Sequence, residues 1–218
     1  MHFEILIEDR SGQAALEILV PKIIDSENTY RVLSYKGMGH IPKNLNAKSD
    51  PSRRILLNRL PSILRGYGKT YTDPKNYRAI VILICDLDNK NLEDFTQELF
   101  QILNSCNPMP ETYFCIAIEE GEAWLMGDIS AIKLAYPKAK DSILNAYEND
   151  SICGTWERLA DAIYKGGASA LSSKGSHAVG TEKSLWAKQI CPHMDVDRNK
   201  SPSFCAFRDK LRNLCKNK

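Results

Sequence analysis

Acidic side chains closely follow three short, strongly apolar segments of the chain, FEILI, RAIVILIC and YFCIAI. The acids at these positions are Glu8, Asp86, Asp88, Glu120 and Glu122. Carboxylate oxygens are the ligands that hard cations such as Mg²⁺ or Mn²⁺ prefer, with phosphate and water completing the coordination shell. A pair of such ions can activate water and stabilise the leaving oxygen in phosphodiester cleavage. These residue types therefore indicate divalent-metal chemistry on a substrate that contains phosphate.

The three apolar segments position these acids, and their composition predicts buried β-strands. Residues 78–85 are almost continuously β-branched or apolar, which is typical of a strand covered on both faces of a parallel sheet. Ligands of parallel α/β sheets bind beyond the carboxyl ends of the strands, so the acids are expected to meet there. Carboxylates brought together repel each other unless a cation lies between them. The two-residue step from Asp86 to Asp88 lets both face one cavity, with Leu87 pointing back into the core.

Helical periodicity alternates with strand character along the N-terminal part of the chain. A further strand is predicted at residues 30–35. Helices are predicted from the turn after Glu8 to Pro21, from Asp50 onwards, and over residues 91–103. This alternation predicts an α/β fold in which helices flank a mostly parallel central sheet.

The rest of the chain is predicted to be helical and rich in loops. The expected organisation is an α/β core at residues 1–130 and a helical C-terminal region at residues 131–218, packed on or beside the core. Within the latter, residues 165–180 are rich in glycine and serine. That composition predicts a loop that is flexible or faces a ligand.

The formal net charge of +2 is unevenly distributed. Residues 41–78 contain nine Lys or Arg against two Asp or Glu, and residues 165–218 contain eleven against four, so each region carries +7. Two basic regions around an acidic centre fit a polyanion such as DNA or RNA held over bound metal. Solvated helix faces are the alternative explanation of the same counts.

Two features predict a cytoplasmic protein without membrane association. No apolar run approaches the roughly 20 residues of a membrane helix, and the start MHFEILIEDR is acidic where a signal peptide is basic. The seven cysteines are odd in number and form no C-x-x-C pair. Reduced, mostly buried thiols in a reducing compartment are the expected consequence.

An acid after the first strand, followed by D-x-D after a central buried strand, resembles the Toprim fold. Topoisomerases, bacterial primases and overcoming-lysogenization-defect (OLD) nucleases share that fold. The segment EGEAWLMGD resembles a segment of a Toprim-like family of uncharacterised bacterial defence proteins, often encoded beside an ATPase. The stretch from Lys183-Ser184-Leu185-Trp186-Ala187 through Ser201-Pro202-Ser203-Phe204 is similar to the C-terminal pattern of the same family.

The resemblance implies roles for the acids already named. Its metal ligands would be Glu8, Asp86, Asp88, Glu120 and Glu122. One departure stands out, because many Toprim domains have Gly directly after the first acid and this chain has Asp9. That difference leaves the turn chemistry, and with it nuclease competence, open.

Basic residues complete the hypothesis. Phosphoryl transfer needs a cation near the transition state in addition to metal, and Lys183 or Lys188, folded back over the acids, would supply it. Five residues apart, the two lysines do not share one helix face, so only one is expected to serve. Arg53, Arg54 and Arg59 would hold the nucleic-acid backbone.

The leading hypothesis is a Toprim-like, Mg²⁺-dependent nuclease or nuclease-derived effector that cleaves DNA or RNA, with a separate ATPase subunit, in antiviral defence. Glu8, Asp86, Asp88 and Glu122 would bind one or two ions, and water activated there would attack the phosphodiester. One alternative is a Mn²⁺-dependent nucleotide-sugar transferase that uses Asp86 and Asp88. The other is a catalytically degenerate Toprim module that binds a partner.

Three other patterns carry less chemistry. The segment GYGKT lacks the first glycine of a phosphate-binding loop and follows a helix instead of a strand, so ATP binding is not expected. The histidines without a nearby acid are expected at the surface: His40, His177 and His193. The tryptophans have apolar neighbours and are expected in the core: Trp124, Trp156 and Trp186.

Overall fold

The structure is a computed structural model that describes residues 1–46, 50, 52–71, 78–87, 90–117, 121–150 and 154–216. Of the predicted acids, Glu8, Asp86 and Glu122 lie within these ranges, whereas Asp88 and Glu120 lie outside the described residues.

Four strands form a parallel central sheet, as the sequence predicts. They are β1 (His2–Ile7), β2 (Thr29–Ser34), β3 (Ala79–Asp86) and β4 (Thr112–Ala117). Their order across the sheet is β2-β1-β3-β4. The two central strands, β1 and β3, are buried along almost their whole length, because helices cover both faces of a parallel sheet.

Two helices cover one face of the sheet, and a third follows its first strand. Helix α1 is Arg10–Ile23, α2 is Leu56–Tyr71 and α3 is Leu92–Asn104. The buried cluster on the α2 and α3 side includes Leu6 of β1 and Leu83 of β3 together with Leu60 and Leu99 from the helices. Apolar residues recur on one face of α2 and α3, and this face packs on the sheet.

The C-terminal part is helical, as predicted. Its described elements are α4 (Glu122–Met126), α5 (Ile129–Ala135), α6 (Asp141–Leu144), α7 (Thr155–Ile163), α8 (Gly167–Ser172), α9 (Ser176–Ile190), a 3₁₀ turn (Cys191–His193) and α10 (Pro202–Lys216).

An aromatic cluster joins the first and last helices of this part. The ring of Trp124 stacks on Phe207 with centroids 5.1 Å apart, and it meets Phe204 edge-on at 5.4 Å. The indole N–H of Trp124 donates to Ser203 Oγ at 3.0 Å, which satisfies the one polar atom of the buried ring. Trp124 and Trp186 are both buried, which confirms the prediction that they are core residues, whereas Trp156, predicted in the core as well, is only half-buried.

The chain divides into two compact units. The sheet unit contains residues 1–13 and 26–116, and the helical unit contains residues 14–25 and 117–217. The helical unit therefore includes most of α1 and the chain from residue 117 onwards.

Two local predictions were wrong. Residues 165–180 contain α8 and the start of α9 instead of a loop. Within this stretch only Gly166, Gly167 and Gly175 have positive φ, at 87°, 71° and 87°, and the alanines and serines between them continue a helix. Helix α2 begins at Leu56 instead of near Asp50. The carboxylate of Asp50 accepts the backbone N–H and the hydroxyl of Ser52, which closes a local turn.

Candidate functional site

Glu8 and Asp86 lie at the same edge of the sheet, at the carboxyl ends of its two central strands. Ile7 of β1 is level with Ile84 of β3, so Glu8 is one residue and Asp86 two residues beyond this pair. Both side chains are partly exposed. Because side chains alternate along a strand, Glu8 continues the face of Leu6 and Asp86 continues that of Ile84. A ligand that contacts both carboxylates must therefore lie across the strand ends.

The charges of Glu8 and Asp86 both affect the pKa of the Cys85 thiol. Burial raises its pKa most, the negative charges of Asp86 and Glu8 raise it further, and the ammonium of Lys90 opposes them. Cys85 is thus a neutral, buried group whose electrostatic surroundings include two carboxylates and one ammonium. The two carboxylates are oxygen donors of the kind that hard cations prefer.

Leu87 packs against the core, as the interpretation of the D-x-D segment predicts. Its side chain packs against the core cluster on the α2 and α3 side, so the chain after Asp86 turns one apolar residue inward. Asp88 itself lies outside the described residues.

Asp9, the departure from the Toprim pattern, has a structural role. Its Oδ1 accepts the backbone N–H of Gly12 at 2.8 Å, and its Oδ2 accepts the hydroxyl of Ser11 at 2.5 Å. Asp9 therefore caps the N-terminus of α1. Gly12 is required where the helix passes the strand, since a Cβ there would lie 2.3 Å from Cδ1 of Ile7.

The loop between β2 and α2, and the first turn of α2, contribute guanidinium groups. Arg54, at φ 53°, donates to the carbonyl of the last residue of β2 at 2.6 Å. Burial raises the pKa of Tyr35, and the charges of Arg59 and Arg54 oppose that shift. Both arginines therefore lie near the carboxyl end of β2. Arg53 is exposed.

Glu122 and Lys183 are brought together within the helical unit. The Lys183 Nζ lies 2.8 Å from Glu122 Oε2, and the Glu122 side chain is 4% exposed. The sequence places these residues 61 positions apart, so a tertiary contact joins two predicted site residues. Lys188 is exposed on α9 and lies on another face of that helix, as its five-residue spacing predicts.

The sequence analysis missed a buried carboxylate, Glu4. Its Oε1 accepts from Arg31 Nη2 at 2.7 Å and Tyr71 at 2.6 Å, and its Oε2 accepts from Arg31 Nε at 2.9 Å and Tyr67 at 3.0 Å. Burial would raise the pKa of Glu4, but these hydrogen bonds and the charge of Arg31 lower it overall. The signal was an acid inside the apolar run FEILI.

The described residues do not form a complete metal site. Across the described ranges, no group of three His, Cys, Asp or Glu side chains is arranged to hold a metal ion. Glu8 and Asp86 supply oxygen donors that suit Mg²⁺ or Mn²⁺, and two further predicted ligands, Asp88 and Glu120, fall outside those ranges. The histidines predicted at the surface are all exposed: His40, His177 and His193.

The chain was compared with known proteins. Residues 7–212 match one family model, described as a domain of unknown function (DUF4276). Searches of curated proteins and of solved structures returned no match. Within the part of the chain that the structure describes, every helix is too short or too polar to cross a membrane.

Proposed function

The chain belongs to the family of this domain of unknown function, and we propose that it is a Toprim-like, Mg²⁺-dependent nuclease, or an effector derived from one, that cleaves phosphodiester bonds in DNA or RNA. The observation that carries the proposal is the register of β1 and β3, which places Glu8 and Asp86 at one sheet edge.

Two arguments support a cation at this edge. Two partly exposed carboxylates follow adjacent strands, and both add their negative charge to the field at Cys85. A cation bound at the strand ends would reduce the repulsion between these like charges. The carboxyl edge of a parallel sheet is also where ligands of α/β proteins bind.

In the proposed mechanism Glu8 and Asp86, together with the predicted ligand Asp88, would hold Mg²⁺ or Mn²⁺ through their oxygens. A divalent cation there would polarise the phosphate and promote deprotonation of water. Arg54 and Arg59 provide positive charge beside the neighbouring strand, and they would orient the nucleic-acid backbone. Asp9 keeps the turn after Glu8 rigid by capping α1.

The Glu122–Lys183 pair has its own part in the proposal. Within the helical unit, Lys183 would bind a backbone phosphate of the nucleic acid. Glu122, almost fully buried, fixes the position of the ammonium through the 2.8 Å contact. Lys188, exposed on the same helix, would contribute only to nonspecific attraction of the polyanion.

The biological setting rests on the resemblance to Toprim-like defence proteins. It suggests a cytoplasmic nuclease that assembles with, or is restrained by, a separate ATPase subunit in antiviral defence. Basic residues in two regions of the chain agree with a nucleic-acid substrate.

Cleavage assays with the full chain test the proposal. Purified protein, with and without a co-encoded ATPase, is incubated with plasmid DNA or tRNA in Mg²⁺, Mn²⁺ or EDTA. We expect cleavage that EDTA abolishes and that Asp86→Asn and Glu8→Gln reduce about 100-fold or more. The matched control Asp25→Asn, an exposed acid, should cleave as the wild type does. Cleavage that survives in Asp86→Asn would refute the assignment.

A second candidate is a catalytically degenerate module that binds a partner. It is favoured by the Glu122–Lys183 contact, which neutralises a predicted metal ligand without any ion. The same assay separates the two functions, because a binding module shows metal-independent association with the ATPase and no cleavage with either ion.

A further inference from the structure

The sheet unit contains a cavity of about 350 Å³ between the loop that follows β2 and helix α3. Its apolar lining comes from Ile41, Leu57 and the buried ring of Phe95. Its polar lining includes Lys43 and Lys90. The volume lies at the lower end of the range of about 300–1,000 Å³ for small-molecule pockets. The cavity is thus large enough for one small planar group and too small for a base pair.

Lys90 connects this cavity to the strand ends. Its Nζ lies 4.6 Å above the ring centroid of Phe95 and 3.7 Å from the sulfur of Met38. Its charge also acts on Cys85, in opposition to Asp86. Within the ranges that the structure describes, Lys90 forms no ion pair with a carboxylate. An aromatic face and a thioether hold this ammonium, which leaves its charge available to an anion.

The remaining lining groups suit the edge of a nucleobase. Glu98 and Gln101 of α3 also line the cavity. A carboxylate accepts from base amino groups, and a carboxamide both donates and accepts. The cavity therefore combines apolar surfaces for a ring, polar groups for its edge and cations for a phosphate.

Resting on the nuclease function proposed above, we propose that this cavity holds one unpaired nucleotide of the substrate, with Lys90 and Lys43 binding its phosphate and Ile41 and Leu57 contacting its base. The phosphate at Lys90 would then lie toward the edge formed by Glu8 and Asp86. The substrate class that follows is a single strand, or a duplex with an unpaired nucleotide at this position.

Calorimetric titration of the full chain with dAMP in EDTA tests the site without any catalysis. The wild type should bind dAMP more tightly than inorganic phosphate. Lys90→Gln should weaken dAMP binding about tenfold, whereas Lys138→Gln, an exposed lysine of the helical unit, should not. Gln101→Trp should block binding by filling the cavity, and Gln97→Trp, one turn earlier on α3 and outside the lining, should not.

The outcomes separate this inference from the proposed function. Wild-type protein that cleaves nucleic acid but binds dAMP no better than phosphate overturns the nucleotide site alone. Unchanged dAMP binding in both Lys90→Gln and Gln101→Trp overturns it as well. Protein that binds dAMP as expected but never cleaves with Mg²⁺ or Mn²⁺ overturns the nuclease alone, because dAMP binding is measured in EDTA and does not require the metal that cleavage requires.

Discussion

Replacing Arg31 by alanine is expected to destabilise the protein more than replacing its partner Glu4 by glutamine. The Glu4 side chain is 1% exposed and that of Arg31 is 55% exposed. Arg31→Ala leaves the buried carboxylate with its tyrosine donors but without its guanidinium partner, which costs about 3–5 kcal/mol of unfolding free energy. Glu4→Gln leaves a guanidinium that water reaches and retains an amide acceptor, so the loss of charge-assisted hydrogen bonds costs about 1.5–3 kcal/mol.

The same network predicts how stability depends on pH. The folded state holds the pKa of Glu4 below its ordinary value of 4.5. The ionised carboxylate therefore stabilises the fold fully above pH 4.5, and this contribution is lost as pH falls through the lower, folded-state pKa. The stability difference between the wild type and Glu4→Gln should accordingly shrink below pH 4.5.

Urea unfolding followed by far-UV circular dichroism, at pH 7 and at pH 3, measures both effects. Arg53→Ala is the matched control, since Arg53 pairs with Asp50 only at the surface, at 3.6 Å, and should change stability by no more than about 0.5 kcal/mol. A Glu4→Gln variant whose free energy of unfolding lies within about 0.5 kcal/mol of the wild type, the size expected for a surface ion pair, would refute the reasoning. So would an Arg31→Ala variant more stable than Glu4→Gln.

Three further predictions concern packing and charge. Gly12→Ala should destabilise the protein by about 1–3 kcal/mol, because the new Cβ would clash with the side chain of Ile7. Gly66→Ala, at a helical position with open space, should stabilise it by about 0.5–1 kcal/mol. Equal effects of the two substitutions in urea unfolding would contradict the close approach of Gly12 to Ile7. Lys183→Met should cost about 3 kcal/mol, and adding Glu122→Gln should recover part of it; additive losses would argue against the pair. Cys85 should remain unmodified by iodoacetamide at pH 8 until the chain unfolds, as peptide mass mapping would show.

The positions of the strand ends could be predicted, because the local sequence indicates which segments are buried strands and where each one ends. The run RAIVILIC predicts a central parallel strand, and a strand's last residue fixes which edge its acid occupies. Glu8 and Asp86 therefore reached one edge as predicted. The N-cap of α1 could also have been predicted, because Asp9 directly precedes a helical pattern and Asp is a preferred N-cap residue.

Other features depend on partners that are remote in sequence. The buried position of Glu4 is stable only because Arg31, Tyr67 and Tyr71 converge on it from β2 and α2, and no local pattern encodes that meeting. The contact between Glu122 and Lys183 likewise joins two helices. The prediction of a loop at residues 165–180 was wrong because it rested on the number of glycines. Where a helix ends depends on the backbone angles at each glycine, and the composition does not give them.

Manganese titration followed by electron paramagnetic resonance tests the central claim most directly, because it reports bound cation without requiring turnover. The wild-type chain should bind Mn²⁺ in a form that Mg²⁺ displaces, and Asp86→Asn and Glu8→Gln should each weaken that binding at least about tenfold, with Asp25→Asn unchanged. Wild-type protein that leaves Mn²⁺ free, or variants that bind it as the wild type does, would contradict a cation site at the carboxyl edge of β1 and β3.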